Sequence, residues 1–369
     1  MRVGVLGSGQ LARMMKLATQ HLNVSFAFVA EPGEATEAVH GLGDVIVADA
    51  NTTAEQLYDA MGQPQVVTVE KEHVDVARLE ALSAFCTVSP NPKAVSITQH
   101  REREKHFLQQ LGIPTAEFAS ASHPAQLKQA VEKLGYPVIV KSCESGYDGK
   151  NQWRLRHCAD WEQLQQLMEN ESLDVVIERW VDFSAEVSLL AVRTVDGALS
   201  YYPLTQNRHV NGILFTSQAP APIASERLQR TAEAYLQKIA DALDYVGVLA
   251  MECFVVGDQL WVNELAPRVH NSGHWTQQGC ETCQFENHIR AISHLPLGST
   301  TQRCPAGMLN LLGKKIAAPE RSVPGSVLHW YNKTCKPGRK VGHINVLGLT
   351  SADVENALRQ LEATLSTTQ

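Results

Sequence analysis

An α/β opening followed by an α+β body is the fold class this sequence predicts, and three observations carry the prediction. From Met1 to about Pro92, short β-branched runs alternate with helical segments, the pattern of a parallel sheet covered on both faces. Beyond the breaker cluster Ser89-Pro90-Asn91-Pro92 the chain changes to runs of strands with isolated helices, the pattern of α+β domains. The length, 369 residues, favours two or three domains over a single core.

In order, the first stretch reads as strand Val3–Leu6, helix Leu11–Leu22, strands Phe26–Val29 and Val45–Val47, helix Thr53–Met61, strand Val66–Val69 and helix Val74–Leu82. A helix from Thr98 to Leu111 opens the second stretch and stops at Gly112-Ile113-Pro114. Pro137–Lys141 is a strand, further strands run to Thr216, and a long helix covers Ser225–Leu243. Val246–Val256 and Gln259–Glu264 form a strand pair. Strands Met308–Leu312, Val327–Tyr331 and His343–Val346 then precede a final helix, Ala352–Leu365. The expected division is a Rossmann-like parallel-sheet domain over 1–97, a central domain over 98–301 and a small β-rich domain over 302–369.

Composition excludes several classes. A formal charge of −7 argues against a general nucleic-acid binder, since phosphate contacts need clustered Lys and Arg. The N-terminus runs straight into a strand without a signal-peptide core, and no apolar run is long enough to span a membrane, so a cytoplasmic protein is expected. The 8 cysteines are scattered, as reduced thiols are. Cys280 and Cys283 form a lone CxxC with no second pair to complete a zinc site.

Gly7-Ser8-Gly9-Gln10-Leu11-Ala12 follows a strand and opens a helix, matching the dinucleotide fingerprint G-x-G-x-x-A. That fingerprint wants an acidic residue about 20 residues on, and Glu31 stands there. An NAD-dependent oxidoreductase is therefore one reading. A tight turn that holds some other anion, or nothing, is the other.

The remaining motifs point to polyphosphate chemistry. Ser145–Asn151 is a polar, glycine-bearing loop just after Lys141 at a strand end; such loops fold over phosphates, and a lysine there supplies a point charge. Glu178 interrupts the apolar strand Val175–Val181, and Glu186 follows in another; carboxylates so placed need a partner if buried. Glu252 and Glu264 lie on strands joined by Gly257-Asp258-Gln259. A three-residue loop puts Glu252 opposite Glu264, whereas a two-residue loop at Gly257-Asp258 puts Asn263 there instead. Two facing carboxylates repel, and hard oxygen donors suit magnesium. Pro267–Trp275 is dense in anion-binding side chains without an HExxH zinc motif, and Lys333, Lys336, Arg339 and Lys340 form a cationic stretch.

Lys141, the Gly146–Asn151 loop, Glu178–Val181, Glu186, Glu252 and Asn263-Glu264, in this order, resemble the ATP-grasp superfamily. More narrowly, Gly9–Met14, Glu70, Gly146–Gly149, Tyr202–Leu204, Met251–Phe254, Asn263–Thr276 and Pro337–His343 are similar to the N5-carboxyaminoimidazole ribonucleotide synthetase family of purine biosynthesis. The resemblance covers essentially the whole chain. It implies a central ATP-grasp domain of two α+β subdomains, with a lid at about 135–180. It also implies a homodimer that carboxylates 5-aminoimidazole ribonucleotide with bicarbonate, through carboxyphosphate, using ATP and Mg2+.

Residue by residue, the resemblance implies ATP contacts from Arg101, Lys141, the lid residues Gly146, Tyr147, Asp148, Gly149, Lys150, Asn151 and Gln152, and His209. Glu178, Arg179, Trp180 and Val181 would read adenine, Glu186 the ribose, and Asn263 and Glu264 the phosphates, with Glu252 and Glu264 on the metal. Gly9, Gln10, Leu11, Glu70, Asn271 and Arg339 would line the ribonucleotide pocket, leaving Arg268, His270, Lys333 and Lys340 as catalytic groups near substrate phosphate and bicarbonate. Three positions depart from the family pattern: Ala12 and Asn151 replace glycines, and Lys336 replaces an arginine. A related acyl-phosphate ligase, such as formate-dependent glycinamide ribonucleotide transformylase, and a non-catalytic nucleotide binder are the further alternatives; Asn271–Trp275 favours the bicarbonate enzyme.

Overall fold

The computed structural model describes residues 1–144, 151–160, 164–165, 173–313 and 323–367. Its first sheet has five parallel strands in the order Asp44–Val47, Ser25–Ala30, Arg2–Leu6, Val66–Val69, Thr87–Val88. Val3, Val5, Phe26 and Phe28 are buried on one face and Ala27, Val29, Val67 and Val69 on the other, the two-sided burial that continuous apolar strands imply. The helices Ala54–Ala60 and Val76–Leu82 start at side-chain caps from Thr53 and Asp75. The first helix is shorter than expected, Gln10–Ala18 rather than Leu11–Leu22, because the Thr19 side chain turns back on Met15 and closes it.

The expected helix from Thr98 to Leu111 is Arg101–Gln110, and a separate helix that was not expected, Pro92–Thr98, precedes it. His100 adopts an extended backbone and caps Arg101–Gln110 through the N–H of Arg103. Histidine is a weak sequence signal for a cap, so the break was not legible.

The largest sheet is antiparallel and runs Gln259–Ala266, Gly247–Val256, Ala185–Arg193, Thr205–Val210, Ile213–Ala219, Ala306–Leu312, Lys340–Leu347, Val327–Trp330. The last three strands continue the central sheet edge to edge, Thr216 pairing with Leu309. One face buries Val187, Leu189, Leu249, Met251 and Cys253 against Leu228, Leu236 and Ile239 of the helix Glu226–Ala242. Each fully buried Leu or Ile there contributes about 1.5–3 kcal/mol. The other face is divided: Leu190, Val192, Val248 and Ala250 pack toward the N-terminal sheet, while Glu186, Ser188 and Glu252 line up beyond them.

A smaller antiparallel sheet, in the order Phe118–Ala121, Val175–Arg179, Val138–Ser142, Gln152–Leu155, carries Lys141 and Glu178. His288, on the helix Gln284–Ile292, ties the sheets together: Val248 N–H donates to its Nδ1 (3.1 Å), and its Nε2 lies 2.9 Å from Thr68 Oγ1. No helix among the described residues is long and apolar enough to cross a membrane.

Candidate active site

The hairpin that carries Glu252 and Glu264 takes the two-residue loop, with Val256 paired to Gln259 and Gly257 at φ 57°, as a tight hairpin requires. The three-residue turn is thus a wrong expectation, yet Glu252 does pair with Glu264. A β-bulge reconciles the two. Cys253 pairs with Val262 and Glu252 with Glu264, so Asn263 is the extra residue. Bulges re-aim side chains, and this one turns the Asn263 amide oxygen toward Lys141 Nζ, 3.2 Å away. Burial, then the neighbouring Glu264, pushes the Glu252 carboxyl up to about 7. A divalent cation would relieve that repulsion, and the donor set, two hard carboxylates on facing strands, fits magnesium.

Glu178 is more deeply buried than Glu252 and differently answered. Lys105 Nζ lies 3.3 Å from its Oε1 and Lys141 Nζ 3.1 Å from its Oε2. Burial alone would raise its pKa; Lys105 and Lys141 outweigh it and hold the group at about 2. Lys105 itself is 1% exposed and also donates to Thr115 Oγ1 and the Asn263 carbonyl. The Glu178 side chain is therefore engaged by protein cations. Glu186 meets His209 at 2.8 Å.

These groups line a cavity of about 560 Å³, with Arg101, Gln152, Arg179, Trp180, Val181, Phe183 and Phe254. Phe183 stacks on Phe254 at 4.5 Å, an apolar wall suited to a flat base. A second cavity, about 850 Å³, is lined by Gly9, Gln10, Leu11, Glu70, Arg268, Lys333 and Arg339. The two share a wall: Arg101, Glu264, His270, Asn271 and Lys340 border both. The Asn271 amide nitrogen and oxygen are buried there without a protein partner.

The glycine loop is not free to grip a dinucleotide. Glu70 accepts from the N–H groups of Gly9 and Ala12 (2.8 Å for Ala12) and occupies the helix N-terminus itself. A Cβ on Gly7, at φ 131°, would lie 2.1 Å from Glu70 Cγ, and one on Gly9 2.7 Å from Oε1. The glycines make room for a carboxylate of the chain. Glu31, on which the NAD reading depended, pairs with Lys71 at 2.7 Å.

On the other side of that cavity, Lys333 donates to Gln10 Oε1 at 2.7 Å, and burial, then Arg339, lowers its pKa to about 8. Arg268 pairs with Glu72. His270 is pushed well below its ordinary pKa by burial, then by Arg268 and Lys340.

Comparison with known proteins extends this geometry. Family models match the ribonucleotide synthetase preATP-grasp domain at residues 1–99, the ATP-grasp domain at 106–285 and the phosphoribosylaminoimidazole carboxylase C-terminal domain at 306–357. N5-carboxyaminoimidazole ribonucleotide synthase of Pseudomonas aeruginosa is 42% identical, over 98% of this chain and 99% of its own. The chain belongs to the N5-carboxyaminoimidazole ribonucleotide synthase family. The crystal structure of the Thermus thermophilus synthetase aligns with a TM-score of 0.90 at 41% identity, covering 98% of both chains. The Aspergillus clavatus enzyme, solved with ADP and 5-aminoimidazole ribonucleotide, aligns with a TM-score of 0.88 at 30% identity, over 99% of this chain and 98% of that one.

Of the residues expected from the resemblance to this synthase family, Gly146, Tyr147, Asp148, Gly149 and Lys150 lie outside the described residues. Asn151 stands at φ 51°, a left-handed conformation that asparagine tolerates best after glycine. Sequence reasoning missed Lys105, Glu104 and the Phe183–Phe254 wall. Phe254 was findable, since it lies two residues from Glu252 on the same strand face. Glu104 and Lys105 sit in Arg101-Glu102-Arg103-Glu104-Lys105, which reads as a solvated face, yet both are buried. Burial, then Glu264, raises Glu104 to about 8, although it accepts from Leu265 N–H at 2.8 Å.

Proposed function

We propose that the chain joins bicarbonate to the exocyclic amine of 5-aminoimidazole ribonucleotide at the expense of ATP, releasing ADP and phosphate. The observation that carries this reading is the shared wall. A ligase that activates one substrate by phosphorylation and passes it to another needs two adjoining pockets, and here Arg101, Glu264, His270, Asn271 and Lys340 border both.

ATP takes the smaller cavity, its base against Phe183–Phe254 and the backbone of Arg179–Val181. With the Glu178 carboxylate tied to two lysines, adenine recognition falls to main-chain groups, and Glu178 sets the position of Lys141. Lys141 and Arg101 place positive charge on the phosphates, while Glu186 and His209 hold the ribose. Mg2+ held by Glu252 and Glu264 would neutralise charge on the β- and γ-phosphates. Bicarbonate, kept at the shared wall by Lys340, Arg268 and the Asn271 amide, attacks the γ-phosphate. The amine of the ribonucleotide, bound between Gln10, Leu11, Glu70, Lys333 and Arg339, then captures the carbon. We place the enzyme in the cytoplasm as a homodimer, on the family resemblance.

The test is ADP formation in carbonate-depleted buffer with each component omitted in turn. Turnover should need ATP, magnesium, bicarbonate and the aminoimidazole ribonucleotide together. Unchanged rates without bicarbonate, or rates restored by formate and glycinamide ribonucleotide, would overturn the assignment. Sedimentation of the purified protein as a monomer would remove the dimer.

A further inference from the structure

His270 caps the turn Asn271–Gly273, and the backbone N–H of Ser272 donates to its Nδ1 at 3.3 Å. A backbone amide can only donate, so Nδ1 carries the lone pair and a neutral ring keeps its proton on Nε2. The Ser272 hydroxyl lies 2.8 Å from the same Nδ1 and must donate to it as well. That oxygen accepts from Ser188 Oγ at 2.8 Å, and Ser188 Oγ accepts from Asn207 Nδ2 at 2.9 Å. Asn207 Oδ1 in turn accepts from Ser217 Oγ at 2.8 Å. All four residues are buried, so water does not scramble the order, and a single orientation satisfies every link.

Strand register places this chain. Ser188 lies opposite Glu252, and Asn207 lies opposite both Glu186 and Ser217. The links therefore run along the sheet face that carries the carboxylates, beneath the cavities. Gln284 fixes the other end, accepting from His270 N–H at 2.8 Å and donating to its carbonyl at 2.6 Å. The ring leaves Nε2 at 3.5 Å from Glu252 Oε1, in the wall the cavities share.

We propose that the one-way chain Ser217–Asn207–Ser188–Ser272 holds His270 as its Nε2–H tautomer and aims that N–H into the shared wall, making Ser188, Asn207 and Ser272 positioning residues. His270 then serves as a hydrogen-bond donor to charge developing on bicarbonate or carboxyphosphate oxygen, and it does not take a proton there. The role of His270 in turnover rests on the function proposed above; the tautomer does not.

The experiment uses full-length protein labelled with 15N-histidine, read by two-bond proton–nitrogen spectra and assigned with His270→Gln. Wild type should show Nδ1 in the unprotonated range and Nε2 in the protonated range. Ser188→Ala and Ser272→Ala should move His270 toward a tautomer mixture and lower kcat about tenfold, the cost of one lost hydrogen bond, with KM for ATP within about twofold. Ser188→Thr, which keeps the hydroxyl as donor and acceptor, should recover most of the loss. A wild-type proton on Nδ1 overturns the proposal, as do Ser188→Ala and Ser272→Ala proteins with wild-type spectra and kcat. If Ser188→Ala does not fold, the wild-type spectrum and Ser272→Ala decide. Full turnover in His270→Gln overturns the catalytic reading and leaves the tautomer to the spectrum.

Discussion

Two carboxylate settings line the cavity proposed for the nucleotide, one on the small sheet and one on the hairpin of the large sheet. On the small sheet, Glu178 is clasped by Lys105 and Lys141 and held at about 2. On the hairpin, Glu252 faces Glu264 and is raised to about 7. Burial raises both, and Glu178 is the more deeply buried of the two; what sets them apart is the company. A carboxylate answered by protein cations is a closed element that orients its neighbours. A carboxylate answered by another carboxylate needs a cation from outside. The difference teaches which acidic residues belong to the scaffold and which to the ligand, although in sequence both are glutamates in apolar strands.

The comparison breaks most directly by mutation on each side. Glu264→Gln should lower ADP release roughly 10³-fold, as losing a group that stabilises transferring phosphate does. In metal-free buffer it should leave the melting temperature equal or higher, since it removes a repulsion. Wild-type turnover, or a clear loss of stability, would place Glu264 in the scaffold. Glu178→Gln should behave in reverse. It leaves the buried Lys105 ammonium, and the partly exposed Lys141 beside it, without their counter-charge and should cost about 3–5 kcal/mol of stability in denaturant unfolding. A Glu178→Gln protein as stable as wild type would show that the two lysines are answered elsewhere.

Acid titration sharpens the same contrast, because the two settings have opposite signs. Glu252 has a folded value of about 7 against an ordinary 4.5, so its folded form is stabilised below pH 4.5 and loses that advantage as pH rises to 7. Metal-free Glu252→Gln should thus exceed wild type at pH 8 by on the order of 2 kcal/mol, the gap closing as pH falls toward 4.5. Glu178 has a folded value of about 2 against 4.5. Its contribution is complete above pH 4.5 and disappears as pH falls to 2. Wild type and Glu178→Gln should therefore converge only below pH 4.5. Parallel stability curves for either pair would remove the electrostatic account of that site.

Much of this was legible in the sequence, for reasons that also mark where legibility stopped. The alternation of strands and helices before Pro92 and the period-2 pattern of Gly247–Val256 follow from burial of whole faces, which composition records. The residues proposed to face the phosphates stood in motifs. The bulge at Asn263 left only a faint trace, the step of three from Val262 to Leu265 where Leu260 and Val262 are two apart on the same buried face, and one such step in a short strand does not declare itself without the pairing. The use of the glycine loop was equally hidden. G-x-G-x-x-A reports a helix N-terminus open to an anion, and only the fold shows that the anion is Glu70, some sixty residues on. Lys105 escaped because a charged run on a helix looks the same whether water or a buried glutamate answers it.

Asn263 is where the two settings touch, and it supplies the smallest and finest test. Its side chain accepts from Lys141, its carbonyl from Lys105, and its neighbour is Glu264. Asn263→Ala removes one neutral acceptor from Lys141 while Glu178 still holds that lysine, so the expected cost is about 1 kcal/mol. It should appear as a roughly fivefold rise in KM for ATP with kcat nearly kept. Asn263→Asp separates the two settings further. The new carboxylate answers Lys141 more strongly but adds negative charge beside Glu264, so metal-free stability should fall and magnesium should restore it. If Asn263→Asp instead tracks Asn263→Ala at every magnesium concentration, the bulge residue belongs to the lysine side alone, and the cation site extends no further than Glu252 and Glu264.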